Sequence, residues 1–272
     1  WGDPMTRFNT PLPKALSADE FARELTFFVK KEAESNISPF YQCLISGQLP
    51  LSGVQEWARQ HYFDVRCFTT TIAQVVANSH YQYDIRHVFA LNLTEELGDI
   101  NPFKEHPILF LKFGRAIGLS NEEMEFVKPI PEMLIAAEYR LKLVKELDAV
   151  CAVAAGSWAL EATVAERHRK VAKALKAFYG VNDDALEFFY AHCGGLGENH
   201  YGGDWAHAGE ALTFIKKYAT TAETQERVRQ AVWRSIEARK VCHMGLFRHI
   251  VLNNSAEYKS VVEKLTKTKK AA

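Results

Sequence analysis

The chain has 272 residues, with 33 basic and 33 acidic side chains, 47% hydrophobic and 12% aromatic residues. Balanced charge with this apolar fraction excludes a disordered or collagen-like chain and gives no electrostatic footprint for nucleic acid or an anionic membrane. Five cysteines (Cys43, Cys67, Cys151, Cys193, Cys242) lack any CxxC spacing, which argues against a disulfide scaffold or zinc finger and for a reducing cytoplasm.

In chain order, residues 1–4, ahead of Met5, read as a cloning remnant. From there to about residue 255 the pattern is that of one all-α bundle domain, with residues 256–272 a basic, solvated tail. Helical periodicity predicts helices near 18–34, 38–47, 53–79, 82–97, 107–117, 121–127, 131–149, 151–179, 184–217 and 221–252. Expected capping boxes pair Ser17 with Glu20, Ser52 with Gln55, Ser120 with Glu123 and Thr220 with Glu223. Gly98, Gly118 and Gly180 are expected helix stops. The longest nearly apolar run, residues 149–160, is shorter than the roughly 20 residues needed to span a bilayer.

The stretch from His200 to His207 carries the sharpest chemical signal. On a helix, His200, Asp204 and His207 fall within an arc of roughly 60°. Two imidazoles and a carboxylate grouped this way suit iron, manganese or zinc; the plain alternative is a polar helix face. Glu161 ends the apolar run 149–160, where a carboxylate is costly unless paired, for example with Arg169 or Lys170, or exposed. Glu95 and Glu96 end one helix, and His106 begins the next with Pro107 at its first position.

This ordered set (the glutamate pair before Gly98, His106, Glu161 on an apolar helix, then H-x-x-x-D-x-x-H) resembles the haem-oxygenase-like di-iron oxidases. That superfamily also includes pyrroloquinoline quinone synthase C and the thiaminase II enzymes. The resemblance runs from about residue 49 to 243 and takes in the stretch 113–118. It implies a haem-oxygenase-like helical bundle and two iron ions held by Glu95, His106, Glu161, His200, Asp204 and His207. Glu95 is preferred to Glu96 as the first of its pair, with Glu96 and His192 as alternative ligands. Adjacent helical residues point about 100° apart, so one glutamate faces inward. The thiaminase branch places a cysteine where this chain reads Gly156, Ser157 and Trp158, which argues against that activity.

The resemblance implies a dioxygen-activating oxidase or oxygenase that works by way of a peroxide bridging the irons. Its substrate would be a small metabolite such as an amino acid or fatty acid, its location the cytoplasm, its assembly a homodimer. Two alternatives stand beside it: a metal-free oxidase like the quinone synthase, and a non-catalytic helical binding protein.

Further expectations attach to single residues. His168, seven residues after Glu161, is a candidate base or proton donor beside the metals, or a core histidine. Tyr62 and Arg66, one turn apart, are candidate substrate anchors, with exposure the plainer fate of Arg66. Trp205, with Phe188, Phe189 and Tyr190, is a candidate pocket wall or simple core. His61, His80, His87, His243 and His249 have no informative spacing. Five glycines in the segment 192–203 would weaken a continuous helix by roughly 4–5 kcal/mol relative to alanine. They suggest a kinked segment that tightens on metal loading, or a close approach by another element.

Overall fold

In the computed structural model, residues 13–35, 38–194 and 203–254 are described, and every regular element among them is helical. The α-helices are α1 (Ala18–Ser35), α2 (Pro39–Ile45), α3 (Leu51–Asn78), α4 (Tyr83–Glu96), α5 (His106–Ala116) and α6 (Asn121–Glu125). They continue with α7 (Pro131–Glu146), α8 (Ala149–Tyr179), α9 (Glu187–Cys193), α10 (Asp204–Tyr218) and α11 (Ala222–Leu246), which runs on into a π-helical end, Phe247–Leu252.

The caps explain most boundaries. Ser17 and Glu20 exchange backbone-to-side-chain bonds at 3.0 and 3.4 Å ahead of α1, and Ser120 and Glu123 do the same at 2.8 and 3.1 Å ahead of α6. Two expected boxes are corrected. Helix α3 starts at Leu51 behind Pro50, so Ser52 and Gln55 already lie inside it. Helix α11 is capped by Thr221 accepting from the Thr224 amide at 3.1 Å, one residue later than expected. At Gly98, φ is +81°, and a Cβ there would sit 2.4 Å from the Asn101 carbonyl oxygen, so only glycine turns the chain from α4 toward α5.

Two apolar clusters build the interior. One gathers α2, the first half of α3, α5, α9 and the end of α11 around Trp57, Phe110, Phe113 and Phe189. The other joins α1, α4, α10 and the first part of α8 around Phe21, Ile72, Phe89 and Ile215. Helix α8 crosses from the second cluster, through Ala159, to the first, from Val171 onward. Its small residues permit this: at Gly156, in the π-helical segment Ala154–Trp158, a Cβ would meet Val144 at 3.0 Å and Val75 at 3.2 Å. By length and composition α8 could cross a membrane, yet 78% of its most apolar window is buried within the bundle, as a core helix requires.

The expected single helix over 184–217 is corrected. Helix α9 stops at Cys193 with Gly194 left-handed at φ +67°, and α10 begins only at Asp204. Residues 195–202, where a kinked segment is expected, lie outside the described residues.

Candidate metal centre

Where the two apolar clusters meet, five helices aim polar side chains inward. They are Glu96 from α4, His106 from α5, Glu161 and His168 from α8, His192 from α9, and Asp204 and His207 from α10, all buried. Each follows from its helix. In α4 the buried positions are Ile85, Phe89, Asn92 and Glu96, one continuous stripe at helical spacing. In α8, Glu161, Ala165, His168 and Ala172 share the buried face. Asp204 is delivered by Gly203, whose φ is +65° and where a Cβ would lie 2.3 Å from the Ala191 carbonyl oxygen. That close approach presses the start of α10 against the last turn of α9.

The result is a dense set of donors. His192 Nδ1 lies 2.9 Å from Asp204 Oδ1, and ligand atoms of His168, His192 and Asp204 all lie within 4.8 Å of one another. His106 Nδ1 is 2.6 Å from Glu96 Oε2, an ion-pair distance without hydrogen-bond alignment, since the same Nδ1 has no hydrogen-bond partner. The His106 and His192 rings stand 4.5 Å apart and join the two groups. His207 Nε2 meets Glu95 Oε2 at 3.1 Å, while its Nδ1 turns inward, 3.8 Å from Glu161 Oε2.

The expected choice between the glutamates is reversed. The Glu96 side chain is 3% exposed and that of Glu95 48%, because the Ile85–Phe89–Asn92 stripe continues through Glu96. Glu95 instead holds His207 from the rim. Arg169 and Lys170 do not pair with Glu161; both reach Glu166, at 3.6 and 3.4 Å. His168 shares the buried face with Glu161 and belongs to the donor group itself. His192, the alternative ligand, is in the cluster; His200 lies outside the described residues, as does the Trp205 side chain. Tyr62 and Arg66 are corrected: Tyr62 stacks on Phe110, and the exposed Arg66 guanidinium bonds the Glu125 carbonyl at 3.2 Å. Phe188 and Phe189 pack against the His168 ring at 5.5 Å each and serve as core.

The chemistry of the donors fits a cation. Both Glu161 carboxylate oxygens, Asp204 Oδ2, His168 Nδ1 and His207 Nδ1 are buried without a hydrogen-bond partner, a costly arrangement for polar atoms. Burial first, then the Asp204 charge, pushes the Glu161 carboxyl up to about 8. Burial would raise Glu96 as well, but the imidazoles of His106, His192 and His207 outweigh it and hold that carboxyl below the usual range. Against burial, Glu95 and Glu161 carry His207 up to about 9. Burial and the neighbouring His192 keep His168 well below the usual imidazole range, so it is neutral, the form that ligates. Carboxylate and imidazole donors in this mixture suit iron, manganese or zinc.

These shifts set a pH dependence for the metal-free chain. Glu161 and His207 both titrate higher folded than unfolded, so each stabilises fully below its unfolded pKa and loses that contribution as pH rises through its folded value. Glu161 loses its share up to about pH 8 and His207 up to about 9, so between about pH 6.5 and 8 both losses run together. The melting temperature of the metal-free chain should therefore fall by roughly 5 °C over that interval, measured by scanning calorimetry. Bound metal, which displaces these protons, should remove the fall.

The donor cluster opens into a cavity, partly open to solvent, that extends past His61, Asp64, Arg140, Arg167, Arg239 and His243. None of these was singled out by spacing as part of a site, although His61, Asp64, Val65 and Phe68 lie along one face of α3.

Comparison with known proteins agrees with this picture. A family model described as an iron-containing redox enzyme matches residues 55–240. A 4-aminobenzoate synthase of Nitrosomonas europaea is 25% identical over 207 residues, covering 74% of this chain and 80% of that protein. Among solved structures, a CADD-like protein of unknown function from Nostoc punctiforme superposes with a TM-score of 0.70 at 15% identity, over 86% of this chain and 98% of that one. A TenA homologue from Pseudomonas syringae gives 0.69 at 15% identity, covering 88% and 100%. A Shewanella denitrificans domain of unknown function with a heme oxygenase-like fold gives 0.69 at 17% identity, covering 88% and 96%.

Proposed function

The chain belongs to the iron-containing redox enzyme family, and from that premise we propose that its buried cluster holds two iron ions and oxidises a small metabolite with dioxygen. The observation that carries the proposal is Glu161, a carboxylate with both oxygens unpartnered inside an apolar bundle and facing further carboxylates and imidazoles. A metal-free oxidase or a purely binding bundle would bear that cost with no return. The similarity to a 4-aminobenzoate synthase supports a biosynthetic oxidation.

One iron would be held by His168, His192 and Asp204, the other by Glu96 and His106, with Glu161 and the inward nitrogen of His207 serving the space between. When bound, the pair supplies electrons for dioxygen activation. The chain's own contribution is positional. Glu95 accepts from His207 Nε2 and so fixes which ring nitrogen faces the cluster, the usual role of a carboxylate behind a ligating histidine. Phe188 and Phe189 wall the imidazoles with aromatic surface and restrict water. Glu161, protonated near neutrality without metal, releases a proton when a cation takes its place.

The test is anaerobic loading of the full chain with ferrous iron, then oxygen uptake with a panel of amino acids and fatty acids. Iron-dependent uptake stimulated by a panel member, and abolished in Asp204→Ala, is expected. Equal uptake with and without iron across the panel would refute the proposal.

A further inference from the structure

Beyond the donor cluster, the cavity reaches a second set of charged groups with no part in holding metal. Arg140 from α7, Arg167 from α8 and Arg239 from α11 line it together with Asp64 from α3. Asp64 forms its ion pair with Arg140. Arg239 donates to the Thr163 hydroxyl and, at 2.7 Å, to the Ala159 carbonyl. Arg167 lies over the Tyr41 ring, 5.2 Å from its centroid, and its buried Nε has no hydrogen-bond partner. Among the described residues neither Arg167 nor Arg239 is paired with a carboxylate.

The histidines nearby do not alter the balance. Burial holds His61 down to about 4 and His243 well below its ordinary value, so both are neutral at pH 7. One carboxylate thus serves three guanidiniums. The strain registers on Arg239, which burial and then the charges of Arg167 and Arg140 bring down to about 9. Guanidiniums crowded this way cost free energy unless an anion joins them. The same cavity is also lined by the apolar side chains of Val65, Phe68, Leu160, Val164 and Leu246.

The geometry points to a carboxylate-binding subsite: Arg167 and Arg239 hold the carboxylate of a small organic acid whose apolar or aromatic body lies along these apolar side chains toward the donor cluster. A planar carboxylate matches the guanidinium fork, and a charge-assisted pair away from water is strong. Tyr41, already against Arg167, adds an edge to the same end of the cavity. As a statement about substrate, the inference rests on the oxidation centre proposed above.

Calorimetric titration of the full chain, with and without iron, tests it using benzoate and octanoate, each against its uncharged amide. At least one acid should bind about tenfold or more tightly than its amide. Arg167→Gln should erase that preference while leaving amide binding and iron content unchanged, and Arg167→Lys should keep part of it. Acids that bind no more tightly than their amides to the unaltered chain would overturn the inference, whatever the variants do. An acid preference lost in Arg167→Gln, in a chain that takes up no iron, would sink the oxidation centre and leave the subsite standing. Iron uptake without any acid preference would do the reverse.

Discussion

Glu96→Ala is expected to lose at least half of the bound iron and nearly all iron-dependent oxygen uptake, whereas Glu95→Ala keeps most of its iron. The two residues are neighbours of identical chemistry, so composition and overall charge are matched between the variants. They differ in direction. Glu96 continues the buried stripe of α4 and stands against His106, so its removal deletes a donor. Among the described residues Glu95 bonds the outer nitrogen of His207, so its removal loosens the orientation of a ring. Loss of such an outer partner costs roughly 10–100-fold in metal affinity, which saturating iron can restore. Metal analysis of both variants after identical loading measures the contrast. Equal iron in the two, or a larger loss in Glu95→Ala, would mean that α4 presents its other face to the metal.

Glu161→Leu is expected to abolish iron binding and yet raise the melting temperature of the metal-free chain, by roughly 5 °C. Both oxygens of Glu161 are buried without a hydrogen-bond partner, and each unsatisfied polar group costs about 1–3 kcal/mol. An apolar side chain of similar size removes that penalty and extends the apolar surface of α8. The cluster is thus maintained at the expense of stability, as sites built for chemistry commonly are. Calorimetry of the metal-free variant and parent at pH 7 reads the effect. A variant that melts lower would show that Glu161 is well satisfied by its surroundings and that the cation argument built on it fails.

Much of this was legible in the residues. Helical period and the glycines at 98, 118 and 180, all at positive φ, mark the bundle and many of its turns. The inward turn of Glu96 was also written in the chain, because Ile85, Phe89 and Asn92 define the face it completes; a family habit pointed to Glu95 instead. The break between α9 and α10 was less accessible. Periodicity reports which face is apolar, but not whether the backbone continues, and only the packing of Gly203 against the Ala191 carbonyl shows why the chain turns back. The arginines were hardest to see. An arginine on an amphipathic helix ordinarily reaches solvent, and Arg140, Arg167 and Arg239 share a cavity only because α7, α8 and α11 cross there.

The proposed pair of irons would lie in the bundle interior, between Glu161 and the surrounding imidazoles and carboxylates. Crystals of the iron-loaded chain, measured at the iron absorption edge, test it most directly. Two anomalous peaks within a few ångströms of each other, bounded by Glu96, His106, Glu161, His192 and Asp204, are expected. A single peak, or peaks only at the protein surface, would contradict the proposal.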